Sequence, residues 1–230
     1  MDSHTLLEQS TRKLQELLQH APQESLTFLC EYSSDKNCDL PDPDRLIREL
    51  RRSGSNDIVR LLTGHQAHYL EIVRDVAGKL KIEWKKDDDE EKLEKAIFLK
   101  VFQQAWVKMS NEEREPVRHL LESQGADAEY VSKLLIEGTM VEFLPTISYL
   151  VVLNIARMVA VAAAVDTAGL AAGEAISGLV AETLFGVLGI VVGTIVFIVN
   201  LAGPAYRKTI PAVLQIAYIR QLMQAEKNTI

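Results

Sequence analysis

Through the first 140 residues apolar positions recur at helical spacing, and no stretch alternates apolar and polar for long enough to predict a strand. The predicted fold class is all-α: a helical bundle, then a long hydrophobic small-residue helical hairpin, then a C-terminal amphipathic helix. Tyr69, Ile72, Val73, Val76 and Leu80 lie on one stripe and predict a helix from His65 to about Ile82. Leu93, Ile97, Phe98, Val101, Phe102, Ala105 and Met109 do the same for a second long helix. Between them the run KKDDDEEK, residues 85–92, is too polar to bury, and its acids favour the N-terminus of the helix that follows. Ser110 with Glu113 forms a capping box that opens a helix to about Ser123, stopped by Gly125. Residues 39–45, DLPDPDR, read as a turn-rich break. A short helical hairpin over 45–63, broken at Ser53-Gly54-Ser55, follows the break, and a last short helix spans about 127–137.

Near residue 140 the pattern changes. Residues 1–140 hold 27 acidic and 20 basic side chains, whereas 141–230 hold five of each, too few to solvate an ordinary globular face. Three regions are expected: a soluble acidic helical domain over 1–140, a hydrophobic hairpin over 141–206 that is a candidate for membrane insertion, and a helix over 207–230 packing on the rest. From Thr183 to Tyr206 there are 24 consecutive residues without a formal charge. As a helix they would extend about 36 Å, enough to cross a hydrocarbon core of about 30 Å. Thirteen Leu, Ile, Val and Phe residues between 184 and 201 favour insertion by roughly 4 to 8 kcal/mol in sum. A second run, Phe143–Val165, carries Pro145 and, near its middle, Arg157. A central Arg costs about 2.5 to 3.5 kcal/mol, so this run would insert only as partner of the stronger one.

Between the runs, Gly169, Gly173, Ser177 and Ala181 recur every four residues, and Gly189 and Gly193 repeat the spacing inside the stronger run. Small-xxx-small ridges let helix backbones approach closely, so these six positions are candidates for helix packing and homo-oligomerisation. Asp166, Glu174 and Glu182 turn progressively around such a helix and fit an interface or the interior of an oligomer better than lipid. Arg207 and Lys208 follow the apolar run directly and form a candidate interfacial anchor, with residue 207 onward on the cytoplasmic side. The N-terminal sequence is charged and amphipathic, without the pattern of a secretory signal, so the expected location is cytoplasmic and associated with the inner membrane. The same hairpin could instead be the centre of a soluble bundle, shielded by the helices around it.

The net charge of −7 and the lack of a basic stripe exclude nucleic acid as partner. Cys30 and Cys38 read as buried or idle thiols, with a disulfide or metal role as the lesser alternative. His65, His68 and Glu71 have helical spacing for metal ligands but no further ligand in view; Glu115 and His119 are paired on one face, with nothing to place them nearby. Helix-start and surface roles suit the histidines better. No nucleophile elbow, Walker loop or dinucleotide fingerprint is present, so the expectation is a non-enzymatic protein with no cofactor, metal or small-molecule substrate. Trp84 and Trp106 could mark a membrane interface, but both lie in charged amphipathic stretches that favour core or partner-facing packing.

The string YRKTIPAVLQIA, residues 206–217, opens the last helix, with Thr209 able to cap it and Pro211 placed in its first turn. It closely resembles the C-terminal signature of the YaaW family of uncharacterised bacterial proteins. Supporting stretches are Glu49-Leu50 with Gly54 and Asp57-Ile58, residues 64–82, and the Trp106, Lys108 and Met109 cluster, so the similarity covers about 45–225. Gly64, His65, Tyr69, Trp106, Tyr206, Arg207, Thr209, Pro211 and Gln215 carry it; His68 does not match. The resemblance implies no catalytic residue. A remote grouping of the family with ubiquinol-cytochrome c chaperones implies a membrane-protein partner class. Two functions are thus expected in competition: membrane association or perturbation, acting as an oligomer through the glycine-rich hairpin, or a soluble assembly chaperone for a respiratory-complex-like membrane protein.

Overall fold

The computed structural model describes residues 3–33, 41–54, 67–108, 111, 115 and 206–228. Among these residues the structure is helical without strands. The elements are α1 (Ser3–Gln19), α2 (Gln23–Ser33), α3 (Pro43–Ser53), α4 (Tyr69–Lys79), α5 (Glu90–Lys108) and α6 (Tyr206–Asn228). Both apolar runs, the six small-residue positions, residues 55–63 of the expected hairpin, Gly64, His65, Cys38 and the helices expected at 110–123 and 127–137 lie outside the described residues, apart from Asn111, Glu115 and Tyr206.

The core forms where the apolar stripes meet. Leu14 and Leu18 of α1, Leu26 and Leu29 of α2, and Leu46, Ile47 and Leu50 of α3 are buried together with Tyr69, Leu70, Ile72, Val73 and Val76 of α4. Leu93, Ile97, Phe98 and Val101 of α5 join the same cluster. The predicted stripes on α4 and α5 thus face inward, although α4 starts four residues later than expected, at Tyr69. The break at 39–45 resolves into a helix start: the Asp42 carboxylate caps α3 by accepting the Asp44 N–H at 3.1 Å, and Pro43 occupies the first turn, where its missing donor costs nothing.

Gly54 ends α3 with φ −81, so it is not needed for an unusual backbone shape. It is needed for space: a Cβ there would overlap Ile72 Cγ1 and lie 2.8 Å from its Cδ1. Gly54→Ala is expected to lower stability by about 1 to 3 kcal/mol through overpacking, measured by denaturant unfolding, and to cost less in an Ile72→Ala background, where Cγ1 and Cδ1 are gone.

The final helix corrects two expectations. It begins at Tyr206, so Thr209 lies inside its first turn, buried, rather than capping it, and Pro211 sits beyond the first turn within the helix. The turn carrying the proline is enclosed by protein, and packing sustains the helix where a backbone hydrogen bond is lost. Ile210 through Ala217 are buried without interruption, so over this stretch α6 is a central core helix instead of an amphipathic one packed on the outside. It packs against each of the other five described helices, and its polar, exposed positions come at the end, at Glu226 and Lys227.

Cys30 is buried and disulfide-bonded, where an idle thiol was expected; the chain's other cysteine is Cys38.

Candidate functional site

Three features of the bundle fix where the apolar segment joins it. The first is the start of α4. Ser10 and Thr11, one helix away on α1, accept the Leu70 and Tyr69 N–H groups at 3.0 and 3.3 Å, supplying from outside the acceptors that a helix N-terminus lacks. His68 donates its own N–H to the Glu71 carboxylate at 2.7 Å, and its Nδ1 lies 3.1 Å from Thr11 Oγ1. Both members of the histidine–glutamate set that fall among the described residues are thus occupied in starting a helix.

The second feature is a buried polar cluster that locks α6 to α4 and α5. Arg220 grips Glu94 with two parallel bonds, Nε to Oε2 at 2.9 Å and Nη2 to Oε1 at 3.0 Å, and Tyr69 donates its hydroxyl to Glu94 Oε1 at 2.7 Å. Glu94 is 1 % exposed and Tyr69 fully buried. Burial pushes the Glu94 carboxyl up, against the opposing pull of Arg220 and of the two donors. Burial, then the neighbouring Glu94 charge, holds the Tyr69 hydroxyl well above its ordinary range, so it stays a donor. One turn earlier on α5, buried Glu90 meets Lys13 of α1 at 3.3 Å. Deeper along α6, Gln215 donates its amide to the Ser25 carbonyl at 3.0 Å, and its Oε1 has no donor among the described residues.

The third feature is the place where α6 enters. Tyr206 lies under the Lys79 ammonium, 5.2 Å from the ring centroid, and its hydroxyl is bonded to Asp75, so it sits at the C-terminal end of α4. Burial and Asp75 both raise its pKa. α4 and α5 run antiparallel, because Tyr69 reaches Glu94 while Arg74 donates to the Lys86 carbonyl at 2.7 Å. Lys108, fourteen positions beyond Glu94 on α5, therefore lies about 21 Å further along that helix, on the side away from Tyr206.

Of the family-motif positions, Tyr69 belongs to the clamp, Thr209, Pro211 and Gln215 are buried in the core along α6, and Tyr206 is the first residue of that helix. Lys208 is partly buried and engaged with other groups; Arg207 and Trp106 lie within α6 and α5, with nothing described of their side chains. The sequence reading missed Glu94 and Arg220, yet both carry a signal. Glu94 stands on the stripe of Ile97, Phe98 and Val101, and Arg220 continues that of Val213, Ile216 and Ala217, so each is a charge on an apolar face. Trp84 is not in the core: it is 41 % exposed, stacked beneath Arg74 at 4.9 Å, which leaves a partner-facing role open.

These features define an all-α bundle protein in which a buried carboxylate–guanidinium clamp holds a C-terminal core helix that continues directly from an apolar segment. Comparison with known proteins places it more narrowly. The chain is 28% identical over 179 residues to the UPF0174 protein YaaW of Escherichia coli strain K12, covering 77% of this chain and 70% of that one. It is likewise 28% identical over 200 residues to one UPF0174 protein of Helicobacter pylori strain J99 (86% of this chain, 78% of the other) and over 212 residues to a second from that strain (88% and 99%). Most of the chain is thus similar to UPF0174 (YaaW) proteins. No family model and no solved structure matches it.

Proposed function

We propose that the protein is a non-enzymatic, membrane-associating member of its family, in which the helical bundle carries and orients the apolar segment. The observation that carries this reading is the direct continuity between the uncharged run 183–206 and α6, whose first residue is already engaged by Asp75 and Lys79. A bilayer-inserted segment needs a rigid partner outside the membrane, and the Arg220–Glu94–Tyr69 clamp supplies one. Among the described residues no helix is long and apolar enough to cross a membrane, so any insertion belongs to the runs 143–165 and 183–206.

The ridge at Gly169, Gly173, Ser177 and Ala181, with Gly189 and Gly193, supports self-association in the membrane. Arg207 and Lys208 support an orientation with the bundle in the cytoplasm, while the Cys30 disulfide weighs against it, because the cytosol keeps most thiols reduced. Gly189→Leu with Gly193→Leu is expected to abolish crosslinked oligomers in detergent while the circular dichroism and thermal transition of the bundle persist. Oligomers of unchanged size in the variant would defeat the self-association part of the reading.

A further inference from the structure

The ion pairs of the bundle are unevenly spread. Lys13, Arg45, Arg48, Lys92, Lys95 and Arg220 each pair with a carboxylate. In the link between α4 and α5 the opposite holds: Lys81, Lys85 and Lys86 are exposed, and their ammonium groups form no ion pair among the described residues. Of the acids close by, Asp88 is the one in an ion pair among the described residues, and the hydrogen bonds of Asp75 and Asp89 leave their charges in place. Asp75 is bonded to Tyr206; Asp88 is buried, accepts the Lys85 N–H at 2.8 Å and pairs with Lys92; and Asp89 accepts the Lys92 N–H at 2.9 Å. Glu83 and Asp87 remain in solvent. Amid these lysines stands Trp84, the large hydrophobic side chain most exposed among the described residues, held in place by Arg74, which also donates to the Lys86 and Asp88 carbonyls at 2.7 and 3.3 Å.

The backbone presents one of these lysines at a cost. Lys81 has φ 58, and the bonds from Lys81 N to Gly78 O at 3.0 Å and from Ile82 N to Ala77 O at 2.9 Å are those of a Schellman helix end. The position favours glycine, because a Cβ is strained there. A lysine kept in a glycine conformation is a sign that the side chain serves something besides the turn. The same corner of the molecule receives Tyr206, through Lys79, and Tyr206 ends the 24-residue uncharged run.

We infer that the α4–α5 link is a membrane-surface docking patch, in which Lys81, Lys85 and Lys86 meet anionic phospholipid headgroups and Trp84 enters the interfacial layer beside the point where the apolar segment joins the bundle. Lysine for the headgroup charge and tryptophan for the amphipathic boundary are the two residue types such a surface calls for. The inference rests on the proposed membrane association but concerns a different contact, made by the folded bundle and sensitive to salt.

Co-flotation of the full chain with vesicles of phosphatidylcholine, with and without added phosphatidylglycerol, tests it. Wild type is expected to bind the anionic vesicles more tightly, with the difference shrinking at high salt. Lys81→Gln, Lys85→Gln and Lys86→Gln together are expected to weaken that binding on the order of 100-fold, at about fivefold per lysine, and Trp84→Ala to weaken it on both vesicle types. Lys81→Gly is the most telling single change: it should raise the unfolding temperature, by relieving the strained backbone, while lowering affinity for anionic vesicles about fivefold. Equal binding to both vesicle types, unaffected by the lysine changes, overturns the patch and leaves insertion by the apolar runs standing. Salt-sensitive anionic binding that alkaline carbonate strips completely supports the patch and removes the insertion. Failure to bind any vesicle overturns the patch.

Discussion

Arg220→Met is expected to lose about 3 to 5 kcal/mol of stability, because it strands the Glu94 carboxylate in the core without its partner. In a chain of this size that corresponds to a fall of about 10 °C or more in unfolding temperature. Two comparisons separate this cause from the loss of a long side chain. The double variant Arg220→Met with Glu94→Gln removes both charges and should be less destabilised than Arg220→Met alone, since the remaining amide can still accept the Tyr69 hydroxyl. The pH dependence should also be distinctive. Burial raises the Glu94 pKa above its ordinary value of 4.5, so the folded protein holds a proton that the unfolded chain has released. The contribution of Glu94 is therefore most favourable below pH 4.5 and declines as pH rises through the elevated folded value. Without Arg220 the folded pKa rises further, so the Arg220→Met deficit should be larger at neutral pH than near pH 5, followed by urea titration at each pH. Equal deficits at both, with no rescue in the double variant, would show that packing alone holds α6.

The second large effect concerns the apolar run itself. Val192→Lys places a charge at the centre of the uncharged stretch, at a cost of about 2.5 to 3.5 kcal/mol on insertion. That removes much of the roughly 4 to 8 kcal/mol that its apolar side chains contribute, and should lower the membrane partition constant about 100-fold relative to wild type. Because Val192 is remote in sequence from the Arg220–Glu94–Tyr69 clamp, the thermal transition of the bundle should survive. Arg220→Met and Val192→Lys should therefore differ in kind: the first loosens the bundle and leaves the run able to insert, whereas the second keeps the bundle and weakens the hold on the membrane.

How far the fold could be read from the sequence follows from what burial does to each helix. α4 and α5 each present a clean apolar stripe because one side faces solvent, and both were legible in outline. α6 was legible as a helix and misjudged in place: a helix enclosed on every side has no polar face to phase it, so its periodicity gives no sense of what surrounds it. Its opening at Tyr206 was legible, but Thr209 and Pro211 resemble a cap and first-turn pair and were given those roles, whereas both lie within the helix. The clamp itself joins residues 69, 94 and 220, contacts that local pattern cannot reveal; only the appearance of Glu94 and Arg220 on apolar stripes hinted at it. Trp84 was hidden for the opposite reason. Its neighbours read as a charged amphipathic stretch that would pack, whereas the chain there is an irregular link with Trp84 and the lysines exposed.

The account depends most on the fate of residues 183–206 in the presence of a bilayer. The direct measurement is alkaline carbonate extraction of membranes from cells producing the full chain, with Val192→Lys in parallel. The account predicts wild type in the carbonate-resistant pellet and a larger share of the variant than of wild type in the supernatant. Wild type recovered wholly in the soluble fraction before any carbonate treatment would contradict it, and would leave these residues as the interior of a soluble helical protein.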